Sequence, residues 1–115
     1  MSKYTGSCHC GALHYTCDVD PTQAMTCTCS ICRRKGSVLH FVDGPQVRLT
    51  ADPQAHGIYH FHKHIIAHHF CKTCGIAPWS MVTLPEGTEK IALNLRASDV
   101  PFAHLPTSRF DGAAI

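Results

Sequence analysis

Cys71-Lys72-Thr73-Cys74-Gly75 is the stretch of sequence that decides the fold. Two thiols three positions apart can bind one metal ion, because the turn between them directs both sulfurs to one point and Gly75 lets the chain leave with a positive φ. A structural zinc ion takes four ligands in a tetrahedral array, so this pair needs two more. The chain offers two further cysteine groups, Cys8-His9-Cys10 and Cys27-Thr28-Cys29-Ser30-Ile31-Cys32. The fold therefore depends on which of them completes the site.

The composition indicates one globular domain over residues 1–115. The chain is 44% hydrophobic and 16% charged, which is typical of a folded protein and not of a disordered one. A structural zinc ion contributes about 10–16 kcal/mol, which is comparable to the net stability of a whole domain. Metal binding can therefore decide whether this chain folds.

The eight cysteines are more typical of metal binding than of disulfides. Their C-x-C, C-x-C-x-x-C and C-x-x-C spacings are chelating spacings. Met1-Ser2-Lys3-Tyr4-Thr5 lacks the apolar segment of a secretory signal, and no apolar run is long enough to span a membrane. We therefore expect a cytoplasmic protein with reduced cysteines and no membrane partner.

One basic cluster, Arg33-Arg34-Lys35, directly follows the cysteine triplet. The formal net charge of +2 counts every cysteine as a neutral thiol, and metal-bound thiolates would remove that excess, so a nucleic-acid partner is not expected. The cations suit a negatively charged thiolate centre, and Arg33 or Arg34 could hold a substrate carboxylate. The alternative is that these charges only solvate the end of a helix.

Short strands dominate the predicted secondary structure. Leu13, Tyr15 and Cys17 alternate with polar residues, which predicts a strand in which Cys17 is a buried thiol and not a ligand. Lys90 to Arg96 alternates in the same way, with Asn94 predicted to point outward. Ser30 can begin a short helix that Gly36 ends. We expect a mainly β domain with little helix, a core over about 4–99, and an irregular C-terminal tail.

Alternate histidines form a row at His60, His62 and His64 on one predicted strand face. Such a row can chelate zinc, although it is more often a solvated or edge face. A histidine near the cysteine triplet, such as His69 or His62, is a candidate for moving a proton during a reaction.

The number of cysteines favours a division into four plus three. Cys8 and Cys10 would join Cys71 and Cys74 around a closed structural ion, and Cys27, Cys29 and Cys32 would hold a second ion with one position open, which is the catalytic arrangement. A side chain such as His9, Cys17 or a strand histidine could instead fill that position and make both sites structural.

These motifs resemble those of a known family. Gly6-Ser7-Cys8-His9-Cys10-Gly11, Cys27-x-Cys29-Ser30-Ile31-Cys32-Arg33-Arg34 and Phe70-Cys71-Lys72-Thr73-Cys74-Gly75-Ile76 are similar to the glutathione-dependent formaldehyde-activating enzymes, a family that also includes centromere protein V. The resemblance extends to Asn94-Leu95-Arg96 and Asp99. Thr28 departs from it, because histidine is common at that position.

The resemblance implies an Mss4-like fold of the β-tent type, in which zinc pins small β-sheets. It also implies the same division of ligands, with Cys27, Cys29 and Cys32 at a catalytic zinc and the other four cysteines at a structural one. The implied activity is that of a carbon–sulfur lyase that joins formaldehyde to glutathione, giving S-hydroxymethylglutathione. The alternatives are a non-enzymatic zinc-stabilised binding module and a thiol-based metal or redox sensor.

Overall fold

Ten strands and one short helix make up the part of the chain that the structure describes, which is residues 3–27, 30–61, 66–84 and 86–110 of a computed structural model. Short 3₁₀ turns lie at Gly44–Gln46 and Leu95–Ala97. In chain order, the elements are β1 (Tyr4–Ser7), β2 (Leu13–Cys17), β3 (Ala24–Cys27), α1 (Ser30–Lys35), β4 (Leu39–Val42), β5 (Val47–Ala51), β6 (His56–Phe61), β7 (Ile66–Cys71), β8 (Trp79–Thr83), β9 (Glu89–Asn94) and β10 (Thr107–Phe110).

Two sheets enclose the core. The smaller sheet has the order β1-β2-β5, and the larger has the order β10-β3-β4-β9-β8-β7-β6. Leu13 and Tyr15 from the smaller sheet are buried in one cluster with Trp79 and Leu93 from the larger sheet. The prediction of a mainly β domain with little helix is confirmed.

The two faces of the larger sheet have different surroundings. Side chains alternate between the faces of a strand, so each row of paired residues belongs to one face. The row on the core side is Ile58, His69, Trp79, Leu93 and His40. The row on the opposite face is Tyr59, His68, Ser80, Ala92 and Phe41. This second face carries the cavity described below.

Helix α1 begins and ends where the sequence predicts. Ser30 is its first residue, and Gly36 follows its last residue with a φ of 67°. Glycine reaches this left-handed conformation without a steric penalty, which lets the chain leave the helix sharply. The helix therefore stays short and places Cys32 close to β3, which carries Cys27.

Asn94 does not point outward as the alternation predicts. It is buried, its side-chain nitrogen donates to the Ala77 carbonyl at 3.2 Å, and its side-chain oxygen accepts from the Arg96 backbone at 3.1 Å. A buried amide is tolerated because it has hydrogen-bond partners. Asn94 therefore fixes the end of β9 against two neighbouring segments, which an alternation pattern cannot reveal.

The C-terminal tail is not wholly irregular as predicted. Strand β10 pairs in parallel with β3, from Thr107 opposite Ala24 to Phe110 opposite Cys27. Thr107, Ser108 and Arg109 are exposed, so the segment has no apolar alternation that the sequence could display. Backbone pairing at a sheet edge holds this strand.

Candidate metal centre and adjoining cavity

Four cysteines from distant parts of the chain meet at one point. The sulfurs of Cys8, Cys10, Cys71 and Cys74 all lie within 4.8 Å of one another. The Cys10 sulfur lies 3.7 Å from that of Cys8 and 3.5 Å from that of Cys71. A tetrahedral zinc site with Zn–S bonds of about 2.3 Å has S···S edges of about 3.8 Å. The four thiols therefore fit one tetrahedral metal ion such as zinc.

Two turns deliver these thiols. The first pair lies between β1 and β2, where Gly11 has a φ of 86°, and the second pair lies at the end of β7, where Gly75 has a φ of 83°. The Leu13 backbone N–H donates to the Cys8 sulfur at 3.3 Å. The Cys74 backbone N–H, 3.5 Å from the Cys71 sulfur, lowers the pKa of the Cys71 thiol. Hydrogen bonds of this kind favour thiolates, which are the form that binds metal.

Two cysteines of the triplet lie at a separate cavity. Cys27, at the end of β3, and Cys32, on α1, both line a cavity of about 300 Å³ on the face of the larger sheet that points away from the core. Cys29 and Thr28 lie outside the described residues. The structure thus brings two of the three predicted cysteines to one cavity, and that cavity is on the other side of the sheet from Cys71.

Polar side chains lie on one side of this cavity. The Lys35 ammonium is 3.0 Å from the His68 Nδ1, and the Ser80 hydroxyl is 3.2 Å from the same nitrogen. An ammonium has only protons to donate, so Nδ1 is the acceptor and the ring proton lies on Nε2. His68 and Ser80 are buried, so they fix the end of the Lys35 side chain at the cavity.

Arg33 and Arg34 lie on the exposed side of α1. Arg34 donates to the Ser30 carbonyl at 2.8 Å within the same helix. Among the described residues, the cavity lining includes Lys35 and neither arginine. Successive residues of a helix point in directions about 100° apart, so only one of the three predicted cations can face the sheet.

Among the described residues, the histidine at the cavity is His68, and His69, one of the two predicted candidates, is not part of the lining. His69 belongs to the core face, where its Nδ1 lies 2.6 Å from the His56 Nε2 and its ring packs on Trp79. Burial lowers the pKa of His69 to about 4. His62 and His64 lie outside the described residues, and His60 is exposed on β6.

His68, Ser80 and the orientation of Lys35 were missed from the sequence. His68 and His69 are adjacent, so a shift of one residue in register exchanges the faces on which they lie. The pairing of β7 with β8 places His68 opposite Ser80, and knowledge of this register would have shown which of the two histidines faces the cavity. That pairing cannot be read from either strand alone.

Within the described residues, no helix combines the length and hydropathy needed to cross a membrane.

Known proteins that are similar to this chain indicate its family. A crystal structure of a Rhodobacter sphaeroides protein is similar to this chain, with a TM-score of 0.73 and 26% identity over 90% of this chain and 98% of that one. The model of a family described as glutathione-dependent formaldehyde-activating enzyme matches residues 3–107, and the Mss4-like fold of that family agrees with the predicted fold class. The chain belongs to the glutathione-dependent formaldehyde-activating enzyme family.

Proposed function

We propose that this protein is a zinc-dependent enzyme of the carbon–sulfur lyase type that acts on a thiol–aldehyde adduct such as S-hydroxymethylglutathione. The observation that carries the proposal is the cavity that has Cys27 and Cys32 on its wall and the Lys35–His68 pair beside them. Membership of the family supplies the substrate class, a small thiol and an aldehyde. We place the activity in the cytoplasm, where thiols stay reduced.

We assign two zinc ions to the chain. Cys8, Cys10, Cys71 and Cys74 would hold a structural ion, and the S···S distances support this assignment. Cys27, Cys29 and Cys32 would hold the second ion, which is supported by the position of Cys27 and Cys32 on one cavity. Zinc in the second site would supply a positive centre that favours the ionised form of a substrate thiol.

The reaction needs few protein groups. In the forward direction the thiol loses its proton, its sulfur bonds to the carbonyl carbon, and the carbonyl oxygen gains a proton as the C=O π bond is lost. In the reverse direction the hydroxyl loses its proton, the carbonyl forms again, the carbon–sulfur bond breaks, and the proton returns to the sulfur. Lys35 is the candidate for stabilising negative charge on that oxygen, because its ammonium lies at the cavity. His68 and Ser80 are positioning residues, since they hold Lys35 through the His68 ring.

Binding of a substrate carboxylate by Arg33 or Arg34 stays a prediction. They lie on the exposed side of the helix whose inner side carries Cys32 and Lys35. Carboxylates of a substrate that protrude from the cavity could reach them there, and the guanidinium fork is suited to carboxylates.

The test is the rate of exchange between formaldehyde and S-hydroxymethylglutathione, measured by NMR with zinc-loaded protein. We expect Cys27→Ser to abolish the acceleration while the circular dichroism spectrum stays that of the wild type. Lys35→Met should lower the rate by about 100-fold, which is typical of losing one donor to an oxyanion. Lys3→Met is the matched control, because Lys3 is exposed and does not line the cavity.

Two outcomes would overturn the proposal. If the wild type accelerates the exchange of neither formaldehyde nor a longer aldehyde although both zinc ions are bound, the protein is a zinc-stabilised binding module and not an enzyme. If oxidation removes zinc reversibly from the triplet in a protein without turnover, a sensor is the better description.

A further inference from the structure

We infer that the aldehyde handled by this protein carries an apolar substituent of several carbons, which occupies the end of the cavity opposite the cysteines. The inference rests on the proposed function and names the substrate class of the same site. It concerns the part of the cavity that neither the thiols nor the Lys35–His68 pair uses.

The strand register gives the cavity two distinct ends. Met25 on β3 opposes Leu39 on β4, and Cys27 lies two positions beyond Met25, away from Phe41. The next row, which contains Phe41, Ala92, Ser80 and His68, crosses the middle of the cavity. The following row contains Ile66, Val82 and Lys90; the first two line the far end together with Leu84, whereas Lys90 pairs with Asp43 and is not part of the lining. The cysteines and Leu84 therefore lie at opposite ends along the strand direction.

Among the described residues, the far end is lined by side chains that offer no hydrogen bond to a polar substrate. Ile66, Val82 and Leu84 are its lining residues, and among the described residues around the whole cavity Lys35 is the charged one. Glutathione carries two carboxylates and an ammonium. Moving an ionised carboxylate into apolar surroundings without partners costs several kcal/mol. The arms of glutathione therefore stay at the mouth of the cavity, and the far end is left for the substituent of the aldehyde.

The cavity also has room for more than a one-carbon aldehyde. Its volume is about 300 Å³, and a cavity of about 150 Å³ in another protein holds a benzene molecule. Formaldehyde would leave the far end filled with water against apolar walls. Each methylene of a longer substituent that displaces this water should raise affinity about fourfold, since burying one methylene is worth about 0.8 kcal/mol.

The first experiment measures binding without catalysis. Unreactive linear alcohols from propanol to pentanol are titrated into the zinc-loaded protein, and their dissociation constants are measured by NMR. We expect affinity to rise about 15-fold over these two methylenes. Val82→Thr, which places a hydroxyl at the far end, should flatten this dependence, and Val19→Thr, a matched change at a partly buried valine away from the cavity, should not. A flat series for the wild type would overturn the inference.

The second experiment measures turnover. Propanal, butanal and pentanal react with glutathione, and each rate is divided by the rate without protein. We expect the ratio to rise with chain length in the wild type and in Val19→Thr, and to be flat in Val82→Thr. Acceleration with formaldehyde but none with longer aldehydes would refute the inference and leave the proposed function standing. A rising alcohol series without any turnover would refute the proposed function and leave the apolar subsite standing. A length dependence seen with alkanethiols and not with aldehydes would also overturn the inference.

Discussion

Individual cysteines of this chain have very different surroundings. Cys74 belongs to the four-thiol cluster, whereas Cys17 is buried in the core and donates to the Val19 carbonyl at 3.4 Å. We predict that Cys74→Ser loses one zinc ion per chain and melts at a much lower temperature, because structural zinc contributes about 10–16 kcal/mol. Metal analysis and thermal denaturation measure both effects.

Cys17→Ala is the control for this prediction. It removes a fully buried thiol without touching the cluster, so it should cost about 1–2 kcal/mol and leave the zinc content unchanged. Retention of the full zinc content by Cys74→Ser would contradict the assignment of the structural site.

His40 makes the stability of the fold depend on pH. Its Nδ1 lies 2.7 Å from the Tyr4 hydroxyl, within hydrogen-bonding distance, and burial lowers the pKa of His40. Below about pH 6.5 the unfolded chain binds a proton that the folded chain does not, so stability is lost as the pH falls from that value through the folded pKa. We predict that the free energy of unfolding, measured with urea, is lower at pH 5.5 than at pH 7.5.

The variant His40→Gln separates this effect from protonation of the thiolates. Glutamine does not titrate in this range, so the difference in free energy between the two pH values should shrink. An unchanged difference would assign the acid sensitivity to other groups and contradict the role given to His40.

At the scale of elements, the sequence is informative where a strand has one buried face. The alternation over Leu13, Tyr15 and Cys17 predicted β2, and these three side chains are fully buried. β10 was missed because backbone hydrogen bonds at a sheet edge leave no apolar pattern. The number of cysteines and the family resemblance predicted which four cysteines meet, and the sulfurs of Cys8, Cys10, Cys71 and Cys74 do lie together. The cavity was not predictable, because it is formed by side chains of five strands and a helix.

Close packing within the smaller sheet gives a test at this scale. Gly6 on β1 lies under the ring of Tyr15 on β2, and a methyl group at position 6 would overlap that ring. We predict that Gly6→Ala destabilises the fold by about 1–3 kcal/mol, as overpacking does in other cores. Urea denaturation measures this change.

Gly44→Ala is the matched control, because nothing lies within 4 Å of the added methyl group and the residue has no positive φ. It should stay within about 1 kcal/mol of the wild type. Equal destabilisation by the two substitutions would show that the Gly6–Tyr15 contact is not tight.

At the scale of the whole molecule, the four-thiol cluster and the pair Cys27 and Cys32 lie in separate places. The four-thiol cluster joins the turn between β1 and β2 in the smaller sheet to the end of β7 in the larger sheet. Cys27 and Cys32 lie on the opposite face of the larger sheet, at the cavity. A metal at the cluster would therefore hold the sheets together, while the cavity stays available for substrate.

Replacement of zinc by Co²⁺, followed by titration with glutathione, tests this division most directly. Co²⁺ reports the number and kind of its ligands through its absorption spectrum. We predict two ions per chain, a spectral change at one of them on addition of glutathione, and loss of that responding ion alone in Cys27→Ser. A single ion per chain, or two ions whose spectra both stay unchanged when glutathione is added, would contradict this division of the cysteines.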